Sequence, residues 1–204
     1  MYSLPTEIQI GDKSYAVRNQ GDYRTVIECF NFLEDRELTK QERILASLMW
    51  FYGFEDIEEL SVFGNDLLEA YTQMVRFFNC GKDEEEVQST PYKLIDWEKD
   101  SLLICSAINT VAKTEIRAEK YIHWWTFMGY YMGIGECALS TIVGIRSKRA
   151  KGETLEKYER KFINENPQYF WSNKTIEEQE LDEEIRRIWN NGGVVDVPQD
   201  KNTI

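Results

Sequence analysis

The chain of 204 residues carries a formal charge of −12 and is rich in aromatic side chains, with six Trp, eleven Tyr and ten Phe. A chain of that length closes a substantial core without disulfides or metals, and its aromatic content excludes a disordered polymer. The negative charge weighs against a nucleic-acid ligand, because affinity for a phosphate backbone rests on Lys and Arg releasing counterions.

Residues 4–18 read as a β-hairpin, with Glu7-Ile8-Gln9-Ile10, a turn at Gly11-Asp12-Lys13-Ser14, and Tyr15-Ala16-Val17. Two strands alone are marginal, so they must lean on helices or pair with another chain. Asp22 then stands as a cap before Tyr23, Val26, Ile27, Phe30 and Leu33, which recur at helical spacing. Thr39 and Glu42 form a capping box for a second helix striped by Ile44, Leu45, Leu48, Met49 and Tyr52 and ended by Gly53. A third helix carries Leu60, Leu67, Tyr71, Met74, Val75 and Phe78 and closes at Gly81. Residues 82–93 combine Asp83-Glu84-Glu85-Glu86 with Ser89-Thr90-Pro91 and predict a mobile acidic loop. A fourth helix follows, with Ile104, Ala107, Ile108 and Val111 on one face.

Between residues 121 and 145 the only full charge is Glu136, and apolar or aromatic residues occupy every helical face. That pattern predicts a helix buried all round, the central element of the core. Gly129 and Gly133, four apart, predict a close packing seam there. Glu136, His123 and the glycines at 129, 133 and 135 argue against a membrane span. The fold expected is therefore mainly α, a multi-helix bundle around a central buried helix with a short N-terminal β-hairpin. Residues 1–193 are expected to form a single helical domain, with a flexible C-terminal tail over 194–204.

Arg146, Lys148, Arg149 and Lys151 cluster at the end of a helix that begins near Glu136, where the macrodipole favours cations. Leu155, Tyr158 and Phe162 form another stripe, stopped by Pro167, and Tyr169-Phe170-Trp171 is an aromatic knot expected against the core. Thr175 with Glu178 caps a last helix striped by Leu181, Ile185, Ile188 and Trp189 and ended by Gly192-Gly193.

Chemistry-bearing motifs are sparse. Cys29, Cys80, Cys105 and Cys137 lie far apart beside apolar runs and read as free thiols of a reducing cytoplasm. The sole histidine, His123, removes multi-His metal sites and most catalytic triads. It reads as a core imidazole, hydrogen-bonded to backbone or a carboxylate, in preference to a functional one. The thirty-six carboxylates match a solvated acidic surface as well as any chosen pair. No phosphate-binding glycine motif is present, and no signal segment opens the chain, so secretion is not expected. No catalytic, cofactor-binding or metal-binding residue is assigned, and no cofactor is expected.

The hairpin, Asp22-Tyr23-Arg24, Asp96-Trp97 with Asp100, the run Tyr121-Ile122-His123-Trp124-Trp125-Thr126-Phe127, and Ile145-Arg146 together resemble a bacteriophage tail-region family called gene product fifteen. The resemblance covers roughly residues 4 to 190, and His-Trp-Trp-x-Phe followed by Ile-Arg is its most specific part. It implies a gene between those of the tail tube protein and the tape measure protein, the usual place of tail assembly chaperones. A non-enzymatic chaperone that binds the tape measure protein in the cytoplasm of the bacterial host is the function this implies. The tail tube protein is a further implied partner, and a minor structural component kept in the virion is the alternative. Neither nucleic acid nor membrane is expected as a partner. Self-association into a homo-oligomer, through the hairpin edge or an apolar helix face, is a further expectation. The residues singled out as core or partner-binding are His123, Trp124, Trp125, Phe127 and Arg146. Trp124 and Trp125 diverge by about 100° on a helix, so one of the two is expected to face a partner.

Overall fold

The computed structural model describes residues 3–83 and 92–170. Most of the acidic loop, Trp171, the last helix with its Thr175 cap, and the tail over 194–204 fall outside the described residues. The architecture is mainly α with one N-terminal hairpin, as the residue pattern predicts. The described residues divide into two compact units, one made of 3–83 with 95–144, the other of 92–94 with 145–170.

In the first unit, strands β1 (Glu7–Ile10) and β2 (Lys13–Ala16) pair antiparallel with Ile8 opposite Tyr15. Gly11 adopts the left-handed conformation in the turn, so β2 begins at Lys13, two residues earlier than the sequence suggests. Ile8 and Ile10 point inward while Glu7 and Gln9 face solvent, the alternation a half-buried strand requires. Helices α1 (Tyr23–Glu34) and α2 (Lys40–Phe51) follow as an α-hairpin. Asp22 caps α1 by accepting from the Arg24 amide, and Thr39 and Glu42 close a reciprocal capping box on α2.

Residues Ile57–Asp66 form a 3-10 segment broken at Gly64, whose φ is 51°, before α3 (Leu67–Phe78) begins. The sequence reading of one helix from Leu60 to Phe78 is corrected here. Leu60 and Phe63, three apart, face the core through a tighter turn, and the backbone resets at Gly64 before the α-helical stripe starts. The three helices are tied by small polar groups as well as rings. The Ser47 hydroxyl lies 3.4 Å from the Cys29 carbonyl and 3.8 Å from the Met74 sulfur. The Tyr52 hydroxyl donates to the Ala70 carbonyl at 2.8 Å.

Helices α4 (Ser101–Ala112) and α5 (Trp124–Met132) complete this core. The stretch 121–145, read as one buried element, divides into α5, a turn through Gly133–Cys137, and α6 (Ala138–Ala150), whose start agrees with the helix expected to begin near Glu136. Nor is α5 buried all round: Trp124 and Phe127 are 1 % exposed, whereas Gly129 is exposed and Met132 is 77 % exposed. Glu136 lies exposed in the turn, where its charge costs nothing. A Cβ on Gly133 would come within 3.3 Å of Val111, but one on Gly129 would meet nothing, so the expected seam is confined to the end of the helix.

In the second unit, the last residues of α6 join α7 (Lys157–Glu165) and a 3-10 turn at Pro167–Tyr169. The stripe read as Leu155, Tyr158 and Phe162 is shifted. Tyr158 is 66 % exposed and Glu159 is buried, because Glu159 closes a capping box on Glu156 and accepts from Lys148 at 2.7 Å. Of the aromatic run Tyr169-Phe170-Trp171, Phe170 is buried edge-on to Phe162, Tyr169 is partly buried and Trp171 lies outside the described residues.

Candidate functional site

The segments that carry the resemblance in the first unit converge. Asp22, 5 % exposed, receives the Arg24 amide on Oδ1 at 3.0 Å and the Ile122 amide on Oδ2 at 2.9 Å. The Tyr23 amide donates to the Ile122 carbonyl at 2.9 Å, so Asp22 and His123 face each other as a short antiparallel bridge. The Arg24 guanidinium lies over the Tyr23 ring and reaches back to the Ile116 and Glu119 carbonyls, the latter at 2.8 Å. One tripeptide thereby caps its own helix and fixes the connection into α5.

His123 is the N-cap of α5. Its Nδ1 accepts the Trp125 amide at 3.0 Å, which leaves the proton on Nε2, and Nε2 lies 2.9 Å from the Pro5 carbonyl to which it donates. Burial pushes its pKa below the ordinary histidine value, against smaller upward pulls from the Pro5 carbonyl and Asp22. The imidazole is therefore neutral at pH 7, a core histidine bonded to backbone as the sequence suggests. Gly21 presses against this ring. A Cβ there would stand 2.6 Å from the Phe77 ring and 3.1 Å from Nε2, and its φ is 77°.

The two tryptophans are both tied to α3. Trp124 is buried and Trp125 half-buried, and each indole N–H donates to the end of α3. Trp125 also covers Gly81, where a Cβ would stand 3.1 Å from its ring. The 100° divergence is spanned because α3 and the turn after it pass across both side chains. Phe127 stacks on Tyr23 at 4.6 Å and on Trp124 at 5.5 Å. Trp97 stacks on Phe30 and meets Trp124 edge-on, both at 5.8 Å, while the Asp96 amide donates to Asp100 at 3.0 Å.

Arg146 belongs to the second unit and is wholly buried. Its Nε donates to the Tyr169 carbonyl and its Nη1 to the Leu94 carbonyl, each at 2.9 Å. It is thus a fork holding two backbone segments, and the macrodipole reading of the cluster applies to its neighbours at most. Lys148 serves Glu159, and Arg149 reaches the Phe170 carbonyl at 3.5 Å. Of the five singled-out residues, His123, Trp124, Phe127 and Arg146 are buried in the fold, and Trp125 is partly exposed.

Reactive groups are similarly committed. The Cys29 thiol is buried beside Ser47 and pushed up to about 12, which leaves it protonated, while Cys80, Cys105 and Cys137 are partly buried. Among the described residues no three His, Cys, Asp or Glu side chains are grouped to hold a metal ion. No described helix is long and apolar enough to cross a membrane.

What remains for a partner is surface, which residue types alone did not locate. Leu68, Leu102 and Met132 are 63–77 % exposed in the first unit, with Ile57 and Val62 close to half exposed. The three-residue spacing of Leu60 and Phe63 turns Val62 outward, whereas Ile57 shares their register and is exposed as the first residue of the segment.

A family model described as Bacteriophage Gp15 protein matches residues 2–170 of the chain. Comparison with curated proteins and with solved structures gave no match.

Proposed function

The chain belongs to the bacteriophage Gp15 protein family, and on that premise we propose that it is a non-enzymatic tail assembly chaperone acting in the host cytoplasm. The observation that carries this reading is the family match over residues 2–170, joined to the gene position that the resemblance implies. The client is the tape measure protein, kept soluble until tail tube subunits displace the chaperone. Binding and release then follow mass action, with no covalent step.

Two features support a binding role over a catalytic one. The buried carboxylates are engaged in the fold: Asp22 with Arg24 and the Ile122 amide, Asp96 with the Lys99 amide, Asp100 with the Asp96 amide, Glu159 with Lys148. Large aliphatic side chains meanwhile stand exposed on a strongly acidic chain, a surface that suits a basic amphipathic client.

Co-expression with the adjacent long coiled-coil reading frame, then tagged pull-down and light scattering, tests this. The expected result is a soluble complex of fixed stoichiometry, with the client insoluble when expressed alone. A client soluble by itself that does not co-elute would end the chaperone reading. Recovery of the chain from purified virions would assign it to the finished tail instead.

A further inference from the structure

The N-terminal hairpin carries backbone groups that its own pairing does not use. The Val17 amide donates to the Thr6 carbonyl at 2.9 Å, and from there toward the turn hydrogen-bonded pairs alternate with open ones. Tyr15, opposite Ile8, and Lys13, opposite Ile10, therefore spend their N–H and C=O groups on β1. Those of Ser14 and Ala16 point the other way, along the outer edge of β2. Both residues are exposed, and among the described residues no backbone hydrogen bond reaches either from outside the hairpin.

An edge strand is ordinarily protected by a bulge, a proline or charged side chains. Strand β2 pairs without interruption over Lys13–Ala16 and holds no proline. Its outward-bonding positions carry Ser14 and Ala16, small side chains beside which a further strand can lie. The same positions of β1 carry Glu7 and Gln9, a carboxylate and a long amide. The edge of β2 is therefore the more open of the two.

We propose that β2 pairs antiparallel with β2 of a second copy of this chain, about a two-fold axis at Tyr15, and so joins two hairpins into one four-stranded sheet. Only the register that sets Ser14 against Ala16 of the other copy pairs both outward residues of each strand. A shift of two residues sets Ala16 against Asp12 in the turn, or Ser14 against Arg18, where a 3-10 turn has begun. The side chains agree with that register. On the core side Tyr15 meets Tyr15, an aromatic cross-strand pair, and Lys13 meets Val17 in place of another cation. On the solvent side each row runs Glu7, Ala16, Ser14, Gln9 across the sheet, so on a chain of charge −12 no carboxylate faces another. This pairing does not depend on the chaperone reading.

Sedimentation equilibrium of the full chain, over about a hundredfold range of concentration, tests this. The mass is expected to rise from one chain toward two, because a two-fold contact closes on itself. Ala16→Pro removes an outward N–H and no bond within the hairpin, and should weaken association about tenfold. Gln9→Pro removes the corresponding N–H of β1 and should associate as the parent does. Ser14→Lys with Ala16→Lys sets like charges opposite each other on both sides of the axis and should weaken association about fivefold. It should do so although added positive charge lowers the overall repulsion of a chain at −12. Ser14→Glu with Ala16→Lys sets opposite charges at the same places and should restore it. Circular dichroism will verify that each variant folds, and the charge pairs decide the matter if Ala16→Pro does not. A parent that stays a single chain throughout overturns the pairing. Equal weakening by Gln9→Pro, or a doubly lysine-substituted chain that associates as the parent does, overturns it as well.

Discussion

Trp124 and Trp125 donate their indole N–H groups to consecutive carbonyls of one helix end, Trp124 to Phe78 and Trp125 to Phe77, each at 2.9 Å. The last carbonyls of a helix have no intrahelical donor, so two adjacent side chains of α5 complete the C-terminus of α3. The pair reads in the sequence as a hydrophobic signature. Its work is equally that of a cap, which explains why both indoles are turned to α3.

This arrangement separates the two residues energetically. Trp124→Ala removes a ring 1 % exposed and packed on Phe127, Trp97 and Phe30, and is expected to cost about 3–5 kcal/mol. Trp125→Ala removes a half-buried ring and one hydrogen bond, with an expected cost of about 1–2 kcal/mol. Urea denaturation of both variants reads the difference; equal costs would contradict the assigned environments.

Two glycines should respond in opposite directions. Gly21→Ala places a methyl 2.6 Å from the Phe77 ring at a φ of 77°, and should destabilise by about 2 kcal/mol or more from backbone strain and overpacking. Gly129→Ala adds a methyl in open space within α5 and should stabilise by about 0.5–1 kcal/mol through helix propensity. Paired thermal melts measure both signs. A stabilised Gly21 variant would refute the close approach.

The elements legible in the sequence were those whose caps and stripes agree. Asp22 before α1 and the Thr39–Glu42 box before α2 name their helices and hold them, and Ile104, Ala107 and Ile108 turn inward together on α4. Legibility failed where composition and periodicity part. Within 121–145 the apolar run conceals the end of α5 at Gly133, although the start of the next helix near Glu136 is legible. Leu60 and Leu67 fit one helical stripe only if Gly64 is ignored. Glu159 defeats the rule that charge lies outside, because a cap and Lys148 satisfy it locally. The exposure of Ile57 was illegible for a related reason: it shares the register of the buried Leu60 and Phe63, and only the fold decides that the core ends before it.

Arg146 offers a test confined to the second unit. Its forked donors serve the Tyr169 and Leu94 carbonyls from a fully buried position. Arg146→Lys keeps the charge but cannot reproduce the fork, and Arg146→Met leaves both carbonyls without that donor. An expected cost of roughly 2 kcal/mol for Lys and 3 kcal/mol or more for Met follows from hydrogen bonds to a charged group. Hydrogen exchange should locate the loss at residues 145–170. Uniform loss of protection across both units would show that the two do not open separately.

His123 makes stability depend on pH in a definite window. Only the neutral imidazole can accept the Trp125 amide on Nδ1 while donating from Nε2 to Pro5, and burial holds its pKa below the ordinary value near 6.5. A depressed folded-state pKa means the unfolded chain takes up the proton first. The contribution is therefore complete above about pH 6.5 and is lost as pH falls from there through the folded value. Glu42, Glu115 and Glu159 are all held below the usual carboxylate range, Glu115 to about 2 by Arg117, so their losses begin at lower pH, near 4.5 and beneath. The melting temperature should thus decline between pH 6.5 and 5 before the carboxylates titrate. His123→Asn keeps a capping oxygen but has no titrating ring, and should be less stable at pH 7 yet flat across that interval. A variant that retains the parent's slope from pH 6.5 to 5 would assign the dependence to groups other than this imidazole.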